Sequence, residues 1–486
     1  MFASTVVLRL SLLAGAVGMQ HVAAPPMEGE ATRPVQNPQP PPASASGGAD
    51  PIAEALAVVP GGLTADDAAR RAVESGPTIA QASAQLRAAV AQVDALRKSF
   101  TPALNLEASY ARLSQVESGI PIDDMAMAVV GDVSFDIPLN QYSLNATLGL
   151  PVSDWLLRLI PSLSAGKAGS RAAEFQRDAE MRTVATDARV AYYGWLRARA
   201  QVAVGEASLA RSQARLKDAQ VGVRAGVMSP ADVMRIDALV ARTEASLEGA
   251  RAVERVAQRT LAVLMGEDLE MDFQIGDDVM IPPERDGARE DLKATVARGL
   301  ADRPELAALG ANVEQAEASI KARRAEYYPR VAAFGEAVYA NPNRRFFPLA
   351  NEWNQSWALG ASVSWSLDVA VVNSARVEEL KANRERASST REQLRRGVTL
   401  EIVNAYETRA RAEASLDANE RGKASAEEAY RVMSVRYANG TATTTDVINS
   451  EFDRVDAALA LVRNRLDLLE AQARLAFATG DASVLD

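Results

Sequence analysis

The chain has many acids and bases, but they do not converge on a reaction centre. Asp66-Asp67 and Asp123-Asp124 are the nearest things to a general acid/base couple. They are neighbours in sequence, so they diverge, and they read as helix-start or loop acids. The chain of 486 residues has no cysteine, which removes thiol catalysis, disulfides, thiolate metal sites and a lipid anchor on an N-terminal cysteine. Its one histidine, His21, lies in a leader segment expected to be removed, so neither a histidine base nor a histidine metal site is available. No glycine-rich phosphate loop is present. We therefore expect no enzyme, no cofactor and no metal. A net charge of −10 argues against nucleic acid, which needs a basic surface.

The residues that could do something occur at two glycine-centred tips. The first runs Arg224-Ala225-Gly226-Val227-Met228-Ser229-Pro230-Ala231-Asp232-Val233, and the second runs Arg436 to Val447 through Gly440, Thr441, Ala442, Thr443 and Asp446. They share one offset (440 − 226 = 446 − 232 = 214). Ser75-Gly76-Pro77 and Asp302-Arg303-Pro304 correspond as well, as do Phe100-Thr101-Pro102 and Tyr327-Tyr328-Pro329, at an offset of 227. A duplication of this kind governs the architecture. Each half reads helix, two strands, helix, tip, helix. The halves are residues 63–275 and 276–486. They follow a signal peptide at 1–24, with an apolar core from Leu10 to Val17, and a flexible Pro-rich segment at 25–62 expected to lack secondary structure.

Six helical segments must hold the tips: Leu63 to Ser99 with a break at Pro77, Gly166 to Ala225, Pro230 to Met265, Leu292 to Tyr328, Asn373 to Asn439, and Thr445 to Ala478. Thr64, with Asp67 three residues on, is the expected cap of the first. At 1.5 Å per residue the long ones reach roughly 90–100 Å, which suits rods packed side by side. Phe452, Val455, Leu459, Val462, Leu466, Leu469, Ala473 and Ala476 step by threes and fours, as do Val253, Val256, Thr260 and Val263. Such a pattern predicts coiled-coil seams.

Four segments alternate instead, at about 101–113, 140–152, 329–340 and 355–368. Leu104, Leu106, Ala108 and Tyr110 alternate with Asn105, Glu107 and Ser109. Tyr142 to Leu150 behaves likewise, and so does Trp357, Leu359, Ala361, Val363, Trp365 and Leu367 against serines and glycine. In the third segment Phe334 and Val338 share a side with Glu336, and its faces stay unassigned. Ten-residue strands with one apolar and one small-polar face fit a transmembrane barrel, with Tyr110, Tyr142, Trp357 and Trp365 as headgroup-level candidates. A soluble sheet with one wet face is the alternative. Four strands cannot close a barrel, and an open edge in lipid leaves backbone groups unpaired. Two chains would give eight strands and a filled interior. Three would give twelve and a wet lumen, which the polar inner face favours. The expected fold is mainly α with a shared transmembrane β-barrel, continuous with a long α-helical coiled-coil barrel, in a trimer. The longer connections, Ser114 to Gln141 and Asn341 to Gln355, are expected on the outer side.

With these features together, the chain resembles the TolC family of outer-membrane efflux proteins over about Leu63 to Leu485. The resemblance is carried by Tyr437 to Ile448 with the heptads after it, and by Val223 to Val233. It implies a homotrimeric exit duct in the outer membrane of a Gram-negative bacterium, reaching into the periplasm. That duct would serve a tripartite efflux pump or type I secretion system, docked to a periplasmic adaptor (membrane fusion protein) and an inner-membrane pump. It also implies adaptor contact at Arg224, Gly226, Val227, Met228, Ser229, Gly440, Thr441, Ala442 and Thr443, and a gate or constriction at Asp446, Asn449 and Tyr437. For Asp446 an acid in the helix's first turn that merely favours the dipole is the other reading, and for Gly226 and Gly440 a left-handed helix end suffices. Ala442 stands where some relatives carry a basic residue, and Asn449 where a second carboxylate can occur. The alternative function is a periplasmic coiled-coil structural or adaptor protein without a channel.

Overall fold

Proline decides where strands stop and rods begin. In the computed structural model, which describes residues 51–115, 138–226, 228–281, 291–347 and 349–485, Pro102 precedes β1 (Ala103–Arg112), Pro151 follows β2 (Asn140–Leu150) and Pro329 precedes β3 (Arg330–Asn341). Proline has no N–H to give the ladder, so each marks the end of pairing. β4 is Asn354–Ser364. The helices are α1 (Pro51–Ala55), α2 (Ala65–Ser75), α3 (Pro77–Lys98), α4 (Ile160–Arg224), α5 (Pro230–Met265), α6 (Leu292–Asp302), α7 (Pro304–Arg324), α8 (Leu367–Ala438) and α9 (Thr444–Ala478). A π-turn at Trp155–Leu159 leads from β2 into α4. The 65 residues of α4 and 72 of α8 make rods of roughly 100 Å.

The signal peptide, the segment to residue 50, the Asp123-Asp124 pair with most of the first long connection, and Val227 lie outside the described residues. The expected flexible segment ends earlier than 62. Pro51–Ala55 is helical, and Ile52 and Leu56 are buried at 1% exposure each. Two apolar residues four apart are one turn of signal, too little to stand out in a Pro- and Ala-rich stretch. The fourth strand also stops short of 368. Ser366 takes the N-cap position of α8, so Leu367 belongs to a helix and not to the apolar strand face. Helix breaks at Pro77 and Pro304 fall in equivalent places in the two halves.

The sheet is antiparallel in the order β1-β2-β3-β4. Its register assigns the third strand. Phe334 sits between Gly149 and Gly360, Glu336 between Thr147 and Ala358, and Val338 between Asn145 and Ser356. Directly paired residues share a face, so Phe334, Glu336 and Val338 lie on the polar face with Glu107 and Asn145. Val331, Ala333, Gly335, Ala337 and Tyr339 complete the apolar face. The Phe334 ring covers Gly360, where an added Cβ would lie 2.6 Å from the ring. This cross-strand fit places an aromatic on the polar side. The Ser109 and Ser143 hydroxyls meet at 2.7 Å on the same face. The apolar face is bare: Leu106 is 76% exposed and Leu359 is 77% exposed. At its outer end Tyr110 packs on Tyr142 with ring centroids 4.9 Å apart, and Tyr339 stacks on Trp353 at 4.9 Å.

Midway along the rods lies the main core. Tyr192, Trp195 and Leu196 of α4 meet Leu261 and Met265 of α5, Leu459, Val462 and Leu466 of α9, and Ile52, Leu56 and Ile275. Each fully buried leucine here contributes about 1.5–3 kcal/mol. Leu461 and Leu468 form a second stripe on α9 that faces Leu416 and Ala412 of α8, so α9 carries two seams where the sequence pattern had shown one. On α5 the expected seam is wrong-sided within the chain. Val253, Val256 and Val263 are exposed, and Val240, Leu247, Leu261 and Met265 pack inward instead.

Arginines tie this belt to chain ends. Arg189, nearly buried, holds Asp66 at 2.9 Å and donates to the Val484 carbonyl, and Arg182 donates to the Gly480 carbonyl. Leu63 pairs with Ile275 as a single parallel bridge, which Gly62 permits: a Cβ there would lie 2.4 Å from the Ile275 carbonyl oxygen. Gly249, in the middle of α5, has open space around it. Gly62→Ala should therefore lower stability by about 1–3 kcal/mol, while Gly249→Ala raises it by about 0.5–1 kcal/mol. Thermal melts of the purified protein followed by circular dichroism would check the opposite signs.

Candidate functional site

Both tips are built by the same two local devices. At the end of α4 the Gly226 N–H donates to the Val223 carbonyl at 3.0 Å, and at the end of α8 the Gly440 N–H donates to the Tyr437 carbonyl at 2.9 Å. The Thr441 N–H closes the second turn on the Arg436 carbonyl at 2.8 Å. This is the double bond pattern of a Schellman ending, which needs a left-handed residue. Gly226 has φ 75° and Gly440 φ 70°. The two halves end alike too, with Gly266 and Gly480 at φ 69°, again 214 apart (480 − 266 = 214). On the far side of each tip a hydroxyl restarts the chain. The Asp232 N–H donates to Ser229 Oγ at 3.2 Å, and the Asp446 N–H donates to Thr443 Oγ at 3.2 Å.

The second tip is a full capping box. The Asp446 carboxylate accepts from the Thr443 N–H at 2.9 Å and from its hydroxyl at 2.7 Å. These bonds hold the Asp446 carboxyl below its ordinary value, with the Arg436 charge adding a smaller push. Arg436 also donates to the Thr441 carbonyl at 3.3 Å, so it braces the tip, while Arg224 is simply the exposed last residue of α4. Tyr437 and Ala442 are half-buried; Asn449 is exposed. In the first tip Met228 packs on Gly222, its Sδ 3.0 Å from where a Cβ would stand, and is still 38% exposed.

The repeat exposes a difference the sequence reading missed. Asp232 has a counter-ion one turn on, Arg235 at 3.5 Å, and the equivalent of Arg235 is Asn449 (235 + 214 = 449). The second carboxylate lacks that partner and relies on Arg436 from the preceding helix. Also missed was a cluster just past the second tip. Arg211 of α4 lies 3.5 Å from Glu451 of α9, Arg215 lies over the Phe452 ring at 5.2 Å, and Arg454 lies over Tyr430 at 4.9 Å. Burial lowers the Arg215 pKa, against the pull of Glu451. Arg211 and Arg215 bind the first hairpin to the second, and Arg454 braces the second internally. Sequence offered no sign of the Arg211–Glu451 and Arg215–Phe452 contacts, because their partners are more than two hundred positions apart.

A family model described as "Outer membrane efflux protein" matches residues 68–267 and 296–481, one match to each half. The chain belongs to the outer membrane efflux protein family. This efflux protein also has the fold of solved channels. It superposes on the outer-membrane channel OprN with a TM-score of 0.71 at 20% identity, covering 86% of this chain and 90% of that one. With the CmeC outer membrane channel of Campylobacter jejuni the values are 0.69 and 15%, covering 86% and 85%. With the open state of the MtrE outer membrane channel of Neisseria gonorrhoeae they are 0.68 and 20%, covering 86% and 88%. No curated protein matches it significantly by sequence. Membership sets aside the channel-less coiled-coil alternative: the efflux protein is an outer-membrane duct.

The Asp446 cap has a pH signature. Its folded pKa is depressed, so the cap is in place above the ordinary carboxylate value of 3.8 and is lost as pH falls through the lower folded value. Thr443→Ala should speed amide exchange at Asp446 and Val447 about fivefold at neutral pH. That difference from wild type should persist in strong acid, because the Thr443 hydroxyl that accepts the Asp446 N–H does not titrate, as hydrogen-exchange mass spectrometry would read.

Proposed function

We propose that three copies of the chain close a twelve-stranded barrel in the outer membrane and continue it as a periplasmic helical tunnel. This conduit conducts substrate passively from a periplasmic adaptor and an inner-membrane pump to the exterior. The observation that carries it is the four-stranded sheet: its apolar face is bare, and β1 and β4 each have one strand neighbour among the described residues. In hydrocarbon each unpaired backbone group costs several kcal/mol, so the edges must pair with another copy. The exposed Val253, Val256 and Val263 row on α5 supports the same reading, since a coiled-coil seam left bare in one chain fits against a neighbour. No helix among the described residues is long and apolar enough to cross a membrane; the strands are the crossing elements.

In this reading the tips form the periplasmic end. Gly226, Val227, Met228 and Ser229, with Gly440, Thr441, Ala442 and Thr443, meet the adaptor, with Arg224 alongside. Asp446, Asn449 and Tyr437 belong to the constriction. Three carboxylates in a ring favour cations. The cap and the gate are separable. Thr443→Ala removes the cap and keeps the charge; Asp446→Asn removes the charge.

The overall test is extraction and reconstitution. The protein should need detergent to leave the outer membrane, run as a trimer and conduct in planar bilayers; a monomer in the aqueous fraction would refute the reading. Asp446→Asn should lower cation preference while Thr443→Ala leaves it unchanged. Equal effects from the two variants would reduce Asp446 to a cap.

A further inference from the structure

The first residues of the connection between β3 and β4 fold back onto the sheet. Three consecutive residues anchor it to three different strands. Asn343, only 3% exposed, donates to the Asn354 carbonyl and to Ser356 Oγ, each at 3.0 Å. The Arg344 guanidinium donates to Gln141 Oε1 at 2.8 Å. Arg345 donates to the Trp357 carbonyl at 2.7 Å and reaches Glu336 at 3.5 Å. Asn343 stiffens the turn by accepting the Arg345 N–H at 3.1 Å.

The register tells which face this is. Gln141 is paired with Ala111, one step from Tyr142, so it lies on the face opposite that tyrosine. Ser356 is opposite Val338, and Glu336 is between Thr147 and Ala358. All three side-chain partners lie on the polar face. Had the arginines served the lipid headgroups, their partners would have been on the apolar face, beside Tyr339 and Trp353. Glu336 sits five positions inside the strand end at Asn341, so Arg345 reaches well down the strands.

We propose that Arg345 and Glu336 set the charge preference of the outer half of the pore, at a constriction made by this inward-folded loop. The inference rests on the channel reading above. The pair is half-exposed to water, with side chains 46% and 38% exposed, so it adds little to stability. What it does is fix opposite charges on the wall. In a narrow lumen, rings of charged side chains act on the ions that pass. Glu107 lies on the same face, in the row opposite Asn145, two residues in register from the row of Glu336. Without Arg345 the outer half is dominated by carboxylates and takes cations; without the Glu336 charge it is dominated by Arg344 and Arg345 and takes anions. The solutes affected are small ions and charged substrates of either sign.

Reversal potentials under a salt gradient, measured on trimers in planar bilayers, test this. Arg345→Ala should shift permeability toward potassium and Glu336→Gln toward chloride, relative to wild type. Because the chain has no cysteine, Arg345→Cys offers one thiol per subunit. After assembly, a negatively charged methanethiosulfonate reagent should move selectivity toward cations and a positively charged one toward anions. This arm works even where an alanine or glutamine variant fails to assemble. Wild-type trimers that conduct, together with Arg345→Cys trimers whose selectivity neither reagent moves or both move the same way, overturn the inference alone. Wild-type protein that does not conduct overturns the channel reading itself.

Discussion

Backbone N–H and C=O groups in hydrocarbon have no water to turn to, and much of this molecule follows from that constraint. One chain supplies four strands, two of them with an open side among the described residues. The strands are about ten residues long, as a tilted membrane span requires, and their outer face is leucine, valine, tyrosine and tryptophan. In the proposed reading other copies finish this sheet. The rods that follow take their direction from the strand ends, where proline and the π-turn at Trp155–Leu159 convert a ladder into helix.

The duplication explains the symmetry of the parts and the asymmetry of their use. Gly226, Gly266, Gly440 and Gly480 all end helices in the left-handed region. Only glycine adopts this conformation at little cost, which is why these positions recur at one offset. The polar partners of the tips have diverged. Asp232 keeps Arg235, whereas Asp446 has Asn449 in that place and draws on Thr443 and Arg436. One hairpin is thus locked within its own first turn, and the other across its loop.

The equatorial belt serves a different need. Rods of roughly 100 Å have little lateral stability of their own. The cluster around Trp195, Leu261 and Leu466 joins one of them, α4, to the shorter α5 and α9, and arginines that donate to carbonyls near the C-terminus close its rim. Arg303 follows the same rule in the second half, with Glu305 at 3.0 Å, Glu401 at 3.2 Å and the Phe477 ring at 4.5 Å. A nearly buried guanidinium is tolerable only with partners on several sides, and Arg189 and Arg303 have them.

Local rules were legible in the sequence wherever one element carried the information. The glycine turns, the Thr64 cap, the proline breaks and three of four strand faces all depend on residues within a few positions of one another. What was not legible depends on register or on partners far away. The faces of β3 were ambiguous because Phe334, Glu336 and Val338 do not alternate in polarity; pairing with β2 and β4 decided them. Which apolar row of α5 packs within the chain was not legible, because an apolar row facing outward and one facing inward have the same helical period. The Arg211–Glu451 contact and the inward fold of the β3–β4 loop join residues that only folding brings near. By itself the sequence settled which segments are rods, strands and turns, since propensity and period act over one or two turns. Which faces meet was left to the tertiary structure, because burial is a property of pairs of surfaces and not of either surface alone.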